Sequence, residues 1–342
     1  MATGYVFDEI FTQHDFPGHP ESANRLWATM DYLIKQDLLP RLTRIPARPA
    51  TPTELLRCHH PRHIKRVEEI SRRGGGMLDA DTYTNAFSYE AAAQAAGGLV
   101  DLIAAVLAGR LNNGFALVRP PGHHATPIRA MGFCLFSTVA IGARAARFDH
   151  GLERVAIVDF DVHHGNGTQD VLIEDPTTLF VSSHEYPYYP GTGAMEEIGE
   201  GQARGATVNI PVSMGVGDEG YKRLYGELVF PILRRFQPEL ILVSAGFDAH
   251  WNDPLANIGL TLTGYHWLSQ SLIELATELC QGRIVFVLEG GYNLEVLALG
   301  AGNVFRALLG DSDSQDLLGP SPWPEPDVSA LLAKLKTIHN VA

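Results

Sequence analysis

The chain has 342 residues, 45% of them hydrophobic and 19% charged, and a formal net charge of −13. That length and apolar content suffice for one large domain with a full core, and the acidic balance argues against nucleic acid or another polyanion as partner. Three widely spaced cysteines, Cys58, Cys134 and Cys280, fit free thiols in a reducing compartment rather than a disulfide frame.

In chain order, a short apolar strand around Tyr5 precedes helical patterns over 21–36, 53–73 and 89–108. The strand "FALVRP" starts at Phe115, and a helical pattern over 133–148 leads to "RVAIVDFD" from Arg154. Strands "TLFVSSH" from Thr178 and "TVNIPV" from Thr207 come next, followed by a helix over 219–236 and the strand "LILVSAG" from Leu240. A helix over 265–281, the strand "IVFVLEGG" from Ile284 and a helix over 294–309 complete the alternation. The Pro-rich "GPSPWPEPD" from Gly319 reads as a surface connection, within 319–342, to a short last helix. No apolar run approaches the roughly 20 residues that cross a bilayer, and no export leader is evident at the N-terminus, so a soluble cytoplasmic protein with no membrane partner is expected. Strands alternating with helices predict a single α/β domain over 1–342, with a mainly parallel sheet covered by helices on both faces.

In such sheets ligands gather beyond the carboxyl ends of the strands. Four apolar runs lead directly into reactive side chains: "PGHHA" with His123 and His124, "DFDVHHGNGTQ" with Asp161, His163 and His164, "FDAHWND" with Asp248 and His250, and "EGGYN" with Tyr292. Asp159, Asp161 and His163 are spaced by two and so share one side of an extended chain. A carboxylate and an imidazole two residues apart close on one ion, and Asp248 from another rim loop supplies a third ligand. Two carboxylates, one imidazole and open positions suit catalytic Zn²⁺, Fe²⁺ or Mn²⁺ rather than a closed structural zinc site. The His123–His124 pair, held by Pro120-Pro121-Gly122, is suited to proton transfer near neutral pH, and Tyr292 to donating its phenol to a developing oxyanion.

With those residues in place, the chain resembles the zinc-dependent histone deacetylase family, which includes acetoin-utilisation proteins and acetylpolyamine amidohydrolases. The motifs "HPESANR", "RPPGHHA", "GFC", "DFDVHHGNGTQ", "SSHEYPYYPGTG", "SAGFDAHWNDP" and "LEGGYN" carry the resemblance along nearly the whole chain. It implies an arginase-like domain with an eight-stranded, mainly parallel sheet, and a metal-dependent amidohydrolase that removes acetyl or another acyl group from lysine. It also implies Zn²⁺, or Fe²⁺ in the cell, on Asp161, His163 and Asp248, with His124 as general base and acid and His123 as its electrostatic partner. Asp159 then holds His123, and Asn166 holds His124 where many members have aspartate, as in the class II branch. Phe133 and Tyr189 match the aromatic walls of the acyl-lysine tunnel, Gly132 a backbone acceptor for the substrate amide, and Asp81, two residues from Asp79, the rim aspartate. Leu255 stands where polyamine-selective members carry an acid, which favours acyl-lysine in a peptide or protein over acetylpolyamines or other small acetylamides. Asp159, Asp161, His163, Ser182 and Ser183 match a structural K⁺ site, and Leu172, Asp175 and Thr178 a second one. Two rivals remain: a ureohydrolase, which needs a second carboxylate pair where this chain has Asp248-Ala249-His250, and an inactive pocket that binds acetylated partners.

Overall fold

The computed structural model describes residues 2–342. Its strands are β1 (Thr3–Val6), β2 (Leu42–Ile45), β3 (Gly75–Met77), β4 (Tyr83–Asn85), β5 (Asn113–Ala116), β6 (Val155–Asp159), β7 (Thr178–Glu185), β8 (Thr207–Val212), β9 (Leu240–Ala245) and β10 (Ile284–Leu288). Eight of them form one sheet in the order β2-β1-β5-β10-β9-β6-β7-β8, and every neighbouring pair is parallel; β3 and β4 form a small antiparallel hairpin apart from it. Strands β6, β9 and β10 are rich in Val, Ile and Leu and buried on both faces, as helices packed on each side require. Because β10 inserts between β5 and β9, the four runs that end in reactive residues are consecutive neighbours in the sheet, β5-β10-β9-β6. Their loops therefore leave one edge side by side.

Several boundaries differ from the sequence expectation. The 53–73 pattern is two helices, Pro52–Leu56 and Pro61–Arg72, because Pro61 starts a new first turn whose Arg62 amide donates to the His60 ring. The 133–148 pattern begins only at Thr138, since Phe133 has φ +68° and lies in a loop. The 219–236 helix contains a widened turn over Tyr225–Val229, just ahead of Pro231, which has no amide to continue the regular ladder. Strand β2 and the helix Asn166–Leu172 escaped the sequence reading, the first because its "LTRI" is a half-exposed edge strand. The expectation that no apolar run reaches bilayer length also needs correction. Helix Ser88–Leu107 is long and apolar enough to cross a membrane, but 72% of its apolar window is buried inside this fold, and it packs on helix Thr138–His150. A last helix, Ser329–Ile338, follows the Pro-rich segment, whose Glu325 accepts the Glu219 and Gly220 amides at the start of helix Asp218–Leu224.

Candidate active site

Beyond Asp159, at the end of β6, the chain folds back through two hydrogen-bonded turns. The Asp161 amide donates to Asp159 Oδ1 at 3.1 Å and the His163 amide to Asp161 Oδ1 at 2.9 Å. Asp161 Oδ2 accepts the Gly290 amide at 2.7 Å, and Asp248 Oδ1, beyond β9, accepts the Val162 amide at 3.0 Å. His163 Nδ1 lies 3.2 Å from Asp161 Oδ1 and 3.3 Å from Asp248 Oδ2, and one ligand atom from each of the three falls within 4.8 Å of the others. Asp248 Oδ2 is buried and receives no hydrogen bond. Against burial, which lowers it, the Asp161 and Asp248 carboxylates push His163 up to about 10. Two buried carboxylates around one imidazole call for more positive charge than the side chains supply, so this donor set fits a divalent cation. Glycine is required alongside: a Cβ on Gly290 would sit 2.0 Å from Asp248 Oδ2.

The tandem histidines stand next to this cluster. Glu289 Oε2 accepts the amides of Gly122 at 2.7 Å and His123 at 3.1 Å, which anchors their turn to β10, and the Ser244 hydroxyl donates to Oε1 at 3.1 Å. His123 Nδ1 is 3.0 Å from Asp159 Oδ2 and His124 Nδ1 is 2.8 Å from Asn166 Oδ1, with the two rings 4.0 Å apart. An amide oxygen only accepts, so His124 carries its proton on Nδ1 and leaves Nε2 as a base. Burial, with the His123 charge next, holds His124 well below the usual imidazole range. Burial also lowers His123, but the Asp161 and Asp159 carboxylates outweigh it and raise that ring to about 10. The adjacent imidazoles are thereby split into a cation and a neutral base.

Above them opens a cavity of about 270 Å³, reached by His124, His163 and Tyr292 and walled by Phe133, Tyr188, Tyr189 and Leu255, with Asp81 and Gly132 also on its lining. Gly132 has φ +54°, and a Cβ there would lie 2.3 Å from His124 Cδ2. Its carbonyl accepts from the Cys134 thiol at 3.3 Å. Phe133 meets Tyr292 edge-on at 5.8 Å between centroids, Tyr189 meets His124 edge-on at 5.2 Å, and Tyr188 stacks on His163 at 5.8 Å. Of the two nearby aspartates, Asp79 builds the turn by accepting the Asp81 and Thr82 amides, and Asp81 lines the cavity. Tyr292 is held from behind by Arg25, whose guanidinium lies 5.1 Å from its ring centroid and donates to the Gly291 and Glu289 carbonyls.

Other expected residues have occupied partners. Ser182 Oγ pairs with His184 Nδ1 at 3.0 Å, and Ser183 Oγ with the Tyr225 hydroxyl at 2.8 Å while lying 3.4 Å from the Asp159 carbonyl. Asp175 is ion-paired with Arg144 at 2.6 Å and accepts the Thr178 hydroxyl; Leu172 is buried beside it. His164 bonds Thr192 and Gln169, and His250 Nδ1 accepts the Asn252 amide, so neither ring belongs to the metal-type cluster. Residue types alone did not single out Glu21, Arg25, Tyr188, Asp253 or Glu289. Each lies inside a motif already noted, beside residues chosen for more familiar chemistry.

The sequence model of the histone deacetylase domain matches residues 19–308. The chain is 40% identical to Histone deacetylase 14, chloroplastic, of Arabidopsis thaliana, over 95% of this chain and 82% of that one. It is 38% identical to a probable deacetylase of Archaeoglobus fulgidus, over 100% of this chain and 96% of the other. Among solved structures, the HDA15 HD domain superposes with a TM-score of 0.91 at 37% identity, covering 99% of this chain and 95% of that domain.

Proposed function

The chain belongs to the histone deacetylase family of amide hydrolases, and from that premise we propose that it removes acetyl or a related acyl group from lysine side chains, using Zn²⁺ held by Asp161, His163 and Asp248. The observation that carries this reading is the convergence of those three ligand groups, with His163 lining the same aromatic-walled cavity as His124 and Tyr292. Zn²⁺ bound there supplies Lewis acidity to the acyl carbonyl and lowers the pKa of water.

The remaining chemistry belongs to the chain's own groups. Neutral His124 receives at Nε2 the proton of the water that adds to the carbonyl carbon. It returns that proton to the amine nitrogen as the C–N bond breaks, leaving a carboxylic acid and a free lysine amine. Cationic His123, paired with Asp159, and Asn166 orient and tune that base. The Tyr292 phenol donates to the oxygen as it gains charge. Phe133 and Tyr189 sheathe the apolar stem of a lysine side chain and exclude water. Asp81 and Gly132 both line the cavity, and in this reading the Asp81 carboxylate and the Gly132 carbonyl accept the substrate amides.

Leu255 on the cavity wall offers no charge to a cationic chain, which favours acyl-lysine over acetylpolyamine. Turnover of an acetyl-lysine peptide beside N-acetylputrescine, on zinc-loaded protein, tests both parts. Hydrolysis of the peptide at the higher kcat/KM is expected. Preference for N-acetylputrescine would move the substrate to small acetylamides, and no turnover of either would remove the deacetylase reading.

A further inference from the structure

We propose that Asp253 is the positioning residue for Tyr292, joining it to the Tyr188–Leu255 wall of the cavity; the inference rests on the deacetylase reading above. Asp253 is buried, 6% exposed, on the loop after β9, and its carboxylate is shared between two loops. Oδ1 accepts the Leu255 amide at 3.0 Å, and Oδ2 accepts the Tyr292 and Asn293 amides at 2.7 and 3.1 Å. On the far side of the same peptide segment, the Leu255 carbonyl accepts the Tyr188 hydroxyl at 3.0 Å. A continuous hydrogen-bonded path thus runs from a ring stacked on His163, through the wall, to the backbone of Tyr292.

Tyr292 needs such a restraint because it follows Gly290-Gly291. Gly290 has no room for a side chain, and Gly291 has φ +114°, so both must be glycine. A glycine pair leaves the following residue poorly fixed by its own backbone. Helix capping does not account for Asp253, since Asn293 already fills that role by accepting the Glu295 and Val296 amides for helix Leu294–Leu309. The Asp253 bonds lie ahead of the helix, on the residue whose phenol faces the cavity. Burying a carboxylate in this position carries a desolvation cost that a structural loop could avoid with a neutral residue.

Asp253→Asn keeps the shape but has one acceptor oxygen, so it can serve Leu255 or the Tyr292–Asn293 pair and not both. The test measures kcat and KM on an acetyl-lysine peptide for the zinc-loaded wild type, Asp253→Asn, Tyr292→Phe and the double variant. A kcat loss of about 10- to 100-fold with KM changed by less than about threefold is expected for Asp253→Asn, shrinking to less than about threefold once Tyr292 is Phe. An equal loss in both backgrounds, or none in the wild-type background, overturns the proposal. Hydrogen exchange of the 289–295 segment gives a readout independent of turnover. Faster exchange there in Asp253→Asn, with β10 still protected, supports the restraint even if no acyl substrate is cleaved, in which case only the deacetylase reading fails; unchanged exchange overturns the restraint. If Asp253→Asn does not fold, Asp253→Ser, which also has a single acceptor, takes its place in both measurements.

Discussion

Asp248 Oδ2 lies 3.3 Å from His163 Nδ1, buried and without a hydrogen-bond donor, while its partner oxygen is satisfied by the Val162 amide. The fold therefore stores an unmet demand for positive charge at one point, and residues on the loops after β6 and β9 share it. Removal of the cation that meets the demand should be felt in stability as well as activity.

Chelation is expected to abolish hydrolysis and to lower the thermal midpoint. A ligand at 100 times its Kd contributes about 2.7 kcal/mol to folding, so a shift of several degrees follows. Elemental analysis should give one divalent ion per chain. Two ions per chain would point to a ureohydrolase-type centre instead, and an unchanged midpoint after full metal removal would contradict the charge argument.

His124→Ala should lower kcat by about 10²- to 10⁴-fold, since it removes the proton-transfer base. Tyr292→Phe should cost about 3 kcal/mol of transition-state stabilisation, or roughly 10²-fold in kcat, with a smaller effect on KM. Steady-state kinetics on a single acetyl-lysine peptide checks both. Full turnover by either variant removes that residue's assigned role.

Leu255→Glu places a carboxylate on the cavity wall, where Leu255 now lies. A cationic chain at that wall should gain roughly 1 kcal/mol, so the ratio of kcat/KM for N-acetylputrescine over acetyl-lysine peptide is expected to rise about fivefold or more. A ratio that does not move shows that this wall does not meet the distal end of the substrate.

Glu21 anchors the framework behind Tyr292. It accepts two bonds from Arg119, at 2.5 and 2.7 Å, and one from Arg25 at 3.1 Å, with all three side chains fully buried. Burial alone would raise its pKa, but the Arg119 and Arg25 guanidiniums outweigh it and hold Glu21 at about 2. Because the folded value lies below the unfolded one, the stabilisation is complete above the unfolded carboxyl pKa, near 4.5, and is lost as pH falls towards about 2. Glu21→Gln should therefore cost about 3 to 5 kcal/mol at pH 7, and the gap to wild type should close as the pH drops through that window. Urea midpoints at neutral and acid pH measure it, and a gap that grows on acidification contradicts the sign.

The chain order of polar groups after apolar runs was enough to place the chemistry at the carboxyl ends of parallel strands, because strand and helix periodicities are local properties. It also picked out Asp161, His163, Asp248, the tandem histidines and Tyr292, whose residue types are rarely grouped without a chemical use. The turn-building roles were not legible. Asp79 and Asp81 are interchangeable as letters, yet one bonds backbone amides and the other faces the cavity. Likewise Asp253 and Glu289 look like ordinary acids until their amide partners, 39 and 167 positions away, are known.

What the sequence by itself determined was the inventory: alternating elements, the reactive groups on each rim loop, and the glycines that let backbone approach closely. Only the tertiary structure decided their company, because strand order is set by packing between segments remote in the chain. By inserting β10 between β5 and β9 it brought Tyr292 and His124 to one cavity, with Asp248 just beneath it against His163, and it left His164 and His250, equally promising as letters, bonded elsewhere.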